Sequence, residues 1–507
     1  MKKANITIVN VTSTVALQLV TIFSGFVIPK LIITNFGSEA NGLVSSLNQF
    51  LSYITLLEGG ITAVILSNLY KPLMDNDTKK ISSIMKTSNY FYKKIGIIYI
   101  IYTFIIAIFF SHFYNLSKFS PLYVFSLTLI LSTSLLIQYM LSLSFRNLLN
   151  ADKKVYIVSL TQTFVLILNI ILGYMSIKIY PSIHFFKIMT GLTFIIQPLV
   201  FGGYIKKNYN ISKNVSLDSS LTKDRWSGFF NNFAYFIHSS TDITILTLFT
   251  NLLTVSIYSV YALVTIGLKS LINAVSNGIY PAIGHTYAKA DKEKLLVKFN
   301  IYENVIIIST FLLFSVACLL ITPFVIMYTK NISDANYYQP VFGVLLIIST
   351  MLDLLKIPHL NLAYTAGKFK EMMIPSFIEA IINITISLLF VFKYGLLGVT
   401  IGTIAAMLFR LCYQVYLTKK IIGRSQISYY YKILVLTFLS IIFIVTANLI
   451  LSFKEYTVRN FIIYGFIYSV VFSCLYLFIY FIFFTKDFKQ IYNHIMQIKE
   501  NRKVKKQ

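Results

Sequence analysis

The 507-residue chain is 56% hydrophobic and only 12% charged, yet its formal net charge is +26. A soluble globular chain carries roughly 25% charged residues, so composition excludes an ordinary soluble domain. The basic excess is confined to short segments between long apolar runs, which reads as membrane topology and argues against nucleic-acid binding.

Apolar runs of about 18 or more residues predict membrane helices. Fourteen are expected in chain order, near 8–34, 42–69, 95–112, 121–144, 155–177, 184–204, 227–250, 254–282, 300–322, 339–362, 372–392, 395–417, 430–452 and 460–484. The first follows Met1–Lys3 directly and carries no small-residue cleavage site, so it reads as a retained span and not a signal peptide. Basic residues gather in alternate gaps: Lys79, Lys80, Lys93 and Lys94 after the second span, Lys153 and Lys154 after the fourth, Lys206, Lys207 and Lys213 after the sixth, Lys292 and Lys294 after the eighth. The tail repeats the pattern with Lys499, Arg502, Lys503, Lys505 and Lys506. By the positive-inside rule these gaps and both termini are cytoplasmic. Cys318, Cys412 and Cys474 fall far apart in predicted spans, which indicates neither a disulfide framework nor a metal site.

The chain also resembles itself. Asp77 opens a basic run after span two, and Asp291, 214 positions on, opens one after span eight. Ala151-Asp152-Lys153 matches Ala366-Gly367-Lys368 at an offset of 215, and Leu168-Asn169-Ile170 matches Ile382-Asn383-Ile384 at 214. This predicts two parallel six-helix bundles, residues 1–217 and 218–428, followed by two extra helices (429–485) and a basic cytoplasmic tail (486–507). Parallel repeats are a transporter plan, with the substrate path between the halves.

The span count, "LITNFGSEANGL" between spans one and two, "YITLLEGGI" in span two and the loop "LYKPLMDNDTKKI" carry a family resemblance. The chain resembles the Wzx-type oligosaccharide flippases, the polysaccharide-transport branch of the multidrug/oligosaccharidyl-lipid/polysaccharide exporter superfamily. The resemblance covers most of the chain. It implies two six-helix bundles around a central cavity, working by alternating access. It implies translocation of undecaprenyl-diphosphate-linked repeat units from the cytoplasmic to the outer leaflet of the bacterial cytoplasmic membrane, for capsule, O-antigen or exopolysaccharide. Its implied partners are the lipid-linked oligosaccharide, membrane lipids, and the polysaccharide polymerase with its chain-length machinery. No cofactor is implied.

Polar stripes mark the helix faces expected to be wet, since one residue advances about 100° around a helix. Asn10, Thr14, Gln18 and Thr21 share a face in span one; Asn48, Thr55, Glu58 and Thr62 in span two; Asn231, His238 and Asp242 in span seven; Tyr258, Thr265, Lys269, Asn273, Ser276 and Tyr280 in span eight. Charges inside spans cost about 2.5–3.5 kcal/mol each on insertion scales and tend to face a cavity or a partner. Lys269, near mid-span, is the first choice to meet a diphosphate or an acidic sugar; the alternative is an internal pair with Asp242 or Glu58. Glu58 would neutralise Lys269, carry a coupling proton or bind sugar hydroxyls, and Gly59 and Gly60 beside it allow close packing or a hinge. Asp353 and Lys356 are spaced to pair, next to a Pro358 kink and His359, as a structural pair or a gate. Arg146 and Arg410 lie near the cytoplasmic mouth, where snorkelling explains both or either meets an anionic head group. Glu379 has no evident partner.

No Walker A loop, metal-ligand cluster or nucleophile motif is present. An integral-membrane polymerase or glycosyltransferase would carry a long hydrophilic loop rich in Arg, Asp or His; the longest loops expected here, near 70–94 and 205–226, are short and Lys-rich. A drug–cation antiporter and a lipid II flippase of the same superfamily are the other transport readings.

Overall fold

A computed structural model describes residues 3–58, 61–113, 118–212, 214–218, 240–289, 291–425, 427–450 and 455–504, and every regular element among them is helical. Twelve of these helices are long and apolar enough to cross a membrane. Of the two further expected spans, 42–69 is interrupted at Tyr53–Ile54, with Gly59 and Gly60 outside the described residues, and 227–250 lies mostly outside them.

The first compact unit is Met1–Ser256. It holds α1 (Lys3–Phe36), α2 (Ser38–Ser52), α3 (Thr55–Glu58), α4 (Ile61–Asp75), α5 (Thr78–Phe113), α6 (Pro121–Ile137), α7 (Leu143–Ala151), α8 (Val155–Ile179), α9 (Ile183–Leu192), α10 (Ile196–Asn208) and α11 (Ser240–Phe249). A single π-helical turn, Gln138–Ser142, joins α6 to α7. The core is Leu43, Leu47, Leu69, Ile84, Tyr92, Phe110, Leu127, Leu148 and Phe201 with their neighbours. Span two breaks at Tyr53–Ile54, where Tyr53 N–H turns back to Phe50 O, Tyr102 adds a second donor to the same carbonyl and Thr55 donates to Ser52 O.

The second unit is Ile257–Gln507. It contains most of α12 (Leu252–Ala288), then α13 (Lys292–Tyr328), α14 (Pro340–Leu355), α15 (Ile357–Thr365), α16 (Phe369–Tyr394), α17 (Leu396–Ile422), α18 (Ile427–Ile450), α19 (Val458–Phe483) and α20 (Thr485–Val504). Pro358, in the first turn of α15, cannot accept the α14 register, since its ring would meet the carbonyl of Leu354. Helices α16 and α17 form a tight hairpin. A Cβ on Gly398 would stand 2.4 Å from Phe390 O, and one on Gly402 would stand 2.2 Å from Ser387 Oγ. The Gly398–Gly402 spacing is the small-xxx-small pattern that lets membrane helices approach closely.

Two expectations change. The stretch 70–94 is not a loop: α5 begins at Thr78 and runs 36 residues, and α13 begins at Lys292 and runs 37. Each spans about 55 Å, well beyond a hydrocarbon core of about 30 Å. Hydropathy marks where the bilayer ends, whereas the backbone ladder continues back to a capping residue. Asp77 accepts from Lys80 N–H at 2.9 Å and Asp291 from Lys294 N–H at 3.0 Å. The second change is register. Lys153 (φ 59°) closes α7 and Gly367 (φ 69°) closes α15, both left-handed. Lys154 N–H reaches Leu149 O at 2.9 Å, and Lys368 N–H reaches Ala363 O at 3.0 Å, the same helix stop. These corners correspond at an offset of 214, one residue less than the sequence match.

Candidate functional site

In the second unit, five charged side chains form an alternating chain across four helices. Lys269 Nζ on α12 lies 2.6 Å from Asp353 Oδ2 on α14. The other Asp353 oxygen lies 2.8 Å from Lys356 Nζ, at the α14–α15 turn. Lys356 lies 3.6 Å from Glu379 Oε1 on α16, and Arg410 Nε on α17 lies 3.4 Å from Glu379 Oε2. Arg410 Nη1 also donates to Met372 O, and Gln414, with its amide oxygen toward the guanidinium, accepts from Nε at 3.3 Å and Nη2 at 3.2 Å. Side-chain exposure falls along the chain, from 37% at Lys269 through 16% at Asp353 to 5% at Glu379. The α14–α15 break places Asp353 and Lys356 on either side of the same corner.

The charge count follows from this geometry. Asp353, Lys356, Glu379 and Arg410 sum to zero, and each touches an opposite charge. Lys269 is the surplus cation, and it is the most exposed of the five. Buried charges persist only when paired and hydrogen-bonded, which the inner four satisfy without Lys269. The sequence alone offered Glu379 no partner and placed Arg410 at the cytoplasmic mouth, snorkelling or meeting an anionic head group. Both are corrected: the two are buried and paired with each other, because α16 and α17 pack closely enough to bring them together.

The first unit holds a different polar cluster at the matching place. Glu58, at the end of α3, accepts from Thr62 at 2.7 Å and from the Tyr139 phenol at 3.3 Å. The Thr62 hydroxyl bonds that of Tyr92 at 2.8 Å, and Asn147 donates to the same phenol at 2.8 Å. With Thr62 donating to the carboxylate, the chain runs Asn147 to Tyr92 to Thr62 to Glu58, one donor per link. The π-turn carries Tyr139, and such turns re-aim side chains within a helix.

The second unit repeats this node. Ser276 bonds Tyr302 at 2.6 Å, and Asn361 donates to Tyr302 at 2.7 Å. Thr62 and Ser276, Asn147 and Asn361, and Tyr139 and Asp353 are all pairs 214 positions apart. Tyr92 and Tyr302 differ by one helical turn from that offset. None of the polar stripes pointed to this node. The signal was present in the 214 offset, at positions where residue type is only loosely kept.

The remaining candidates are placed as follows. Asn10 is committed to backbone: it donates to Lys153 O at 2.8 Å and accepts from Tyr156 N–H at 2.9 Å, pinning α1 to the start of α8. Gln18, Asn48 and Asn273 are exposed, Asp242 is buried on α11, and Arg146 is half-buried on α7 beside Asn147. Asn231 and His238 lie outside the described residues. His359 is buried between the rings of Phe299 and Tyr429; its Nδ1 meets Thr418 Oγ1 at 2.9 Å and its Nε2 lies 3.6 Å from Glu303, which pairs with Arg424 at 2.7 Å. The span-eight stripe divides, with Tyr258, Thr265 and Ser276 packed inward and Lys269 and Asn273 open. Among the described residues no three His, Cys, Asp or Glu side chains gather as a metal site.

No protein-family model matches this sequence, and no curated protein matches it. Solved structures do. The lipid II flippase MurJ in an inward closed conformation superposes with a TM-score of 0.70 at 17% identity, over 91% of this chain and 98% of that one. An inward-facing multidrug resistance MATE family transporter of the MOP superfamily gives 0.64 at 14% identity, over 82% and 99%. A eukaryotic MATE transporter gives 0.59 at 12% identity, over 82% and 96%. The chain has the fold of a MOP-superfamily transporter. With its twelve apolar helices this makes it a multi-pass membrane protein.

Proposed function

We propose that the chain is a flippase of the Wzx type, moving undecaprenyl-diphosphate-linked oligosaccharide repeat units from the cytoplasmic to the outer leaflet of a bacterial cytoplasmic membrane for surface polysaccharide synthesis. The observation that carries the reading is Lys269, a surplus cation, 37% exposed, at the open end of a self-neutral chain. An ammonium facing lipid at mid-span costs about 2.5–3.5 kcal/mol. We read its opening as water-filled, where it meets the anionic group of the substrate. The polyprenyl chain stays in the bilayer, because drawing it into water costs about 0.8 kcal/mol per CH₂. Only the head group follows the polar path. Exposed amides such as Asn273 suit its sugars. The polysaccharide polymerase and chain-length machinery would receive the product.

The likeness to MurJ favours a second reading, flipping of lipid II. One experiment separates the two. The gene is deleted in its host and lipid-linked intermediates are analysed by mass. Accumulation of a complete undecaprenyl-linked repeat unit is the expected result, and accumulation of lipid II would replace it with the second reading. Unchanged lipid intermediates with new sensitivity to cationic drugs would overturn both in favour of an antiporter.

A further inference from the structure

The Lys269–Asp353 pair raises a difficulty for an anion site, because the cation is already held by a carboxylate. Its geometry resolves the difficulty. Asp353 gives one oxygen to Lys269 and the other to Lys356. If Lys269 turns away, Asp353 keeps Lys356, Lys356 keeps Glu379, and Glu379 keeps Arg410. No buried charge is stranded, so the usual heavy penalty for breaking a buried ion pair does not arise. The pair is also partly exposed, where such contacts are worth little. Lys269 is therefore detachable at small cost, and only Lys269 is.

The first unit supplies an independent observation. Tyr139 holds the position matching Asp353 and binds Glu58. In both units this corner residue tethers the charged side chain presented by the helix of the second or eighth span. The polarity is reversed: a neutral donor tethers an acid in one unit, and an acid tethers a base in the other.

We infer that Asp353 is a built-in stand-in for the substrate's anionic group, holding Lys269 poised while the site is empty, yielding it when a phosphate or carboxylate arrives, and taking it back to expel that group. This rests on the reading of Lys269 as the anion contact. Asp353 is a positioning residue: it acts through Lys269 and sets the balance between capture and release. An anion bound to Lys269 lies close to the Asp353 carboxylate, and like-charge repulsion between them favours release.

The test is calorimetric titration of the purified full-length protein in nanodiscs with pyrophosphate and, separately, with glucuronate, alongside flipping assays. Asp353→Asn, which keeps shape and removes the competing charge, is expected to bind the preferred anion about two- to fivefold more tightly than wild type, the range set by a partly exposed pair. Flipping turnover falls in the same variant because release slows. Asp353→Glu is expected to return both values toward wild type. Lys269→Ala and the Lys269→Ala/Asp353→Asn double variant should lose anion binding alike. A merely structural Asp353 would give unchanged or weaker binding in Asp353→Asn, and that result overturns the stand-in role while leaving Lys269 as the anion contact. Equal binding by wild type and Lys269→Ala, or no binding by any variant, overturns the anion reading itself. The tighter of the two ligands tells a phosphate site from an acidic-sugar site.

Discussion

Tyr139 and Asp353 stand 214 positions apart, each at the interruption of a split helix, and each holds a charged side chain from an earlier helix of its own unit: Glu58 for the first, Lys269 for the second. The same corner has been fitted with opposite chemistry. That asymmetry is the physical basis for assigning the anion contact to the second unit.

Lys269→Ala is expected to abolish most flipping while sparing the fold. The inner four charges remain paired, so the stability loss should be about 1 kcal/mol or less. Lys269→Arg should keep more activity than Lys269→Ala. Proteoliposome flipping, read beside thermal unfolding of the same preparations, checks both; a Lys269→Ala variant that flips at the wild-type rate would refute the assignment.

The deep end of the chain should behave in the opposite way. Removing Glu379 strands the buried Arg410 guanidinium, at a cost of about 3–5 kcal/mol. Glu379→Ala should therefore express poorly and melt well below Lys269→Ala. Equal melting temperatures for the two variants would contradict the burial gradient.

The hydroxyl–phenol–amide node predicts matched effects in the two units. Tyr92→Phe and Tyr302→Phe each remove a phenol that is bonded by an amide and a hydroxyl, for about 1 kcal/mol. Unfolding measurements on both variants should give similar losses. A loss confined to one unit would mean that the nodes are not equivalent.

Asp291 caps α13, and its hydrogen bonds with Lys294 hold its carboxyl below the usual carboxylate range. A depressed folded-state pKa adds stability above the unfolded value near 4 and loses it as pH falls through the folded value. Asp291→Ala should lower the melting temperature at neutral pH, and the difference from wild type should close as the medium is acidified through that range. A pH-independent difference would argue against the charged cap.

Transport direction should follow the membrane potential. Moving one charge across 100 mV is worth about 2.3 kcal/mol. With the inside negative, outward passage of an anionic head group is downhill. Flipping in proteoliposomes should therefore rise with an imposed inside-negative potential and need no ion gradient. Dependence on a Na⁺ or H⁺ gradient with indifference to potential would refute this.

Much of the architecture was legible in the chain because its causes are local. Apolar runs mark spans, and Asp77 and Asp291 carry their capping function within three residues. The i, i+3 spacing of Asp353 and Lys356 likewise sets out its own pairing. Tertiary structure decided the rest, because the partners are distant in sequence and no window average contains them. Glu379 and Arg410 meet only because Gly398 and Gly402 let α16 and α17 close on each other. Asn10 is the right residue type for a wet face, yet the free N–H and carbonyl at the start of α8 claim both ends of its amide. Lys269 was visible as a costly charge. That it is the most exposed of the three cations, on a carboxylate that also holds Lys356, is a property of packing that only the contacts show.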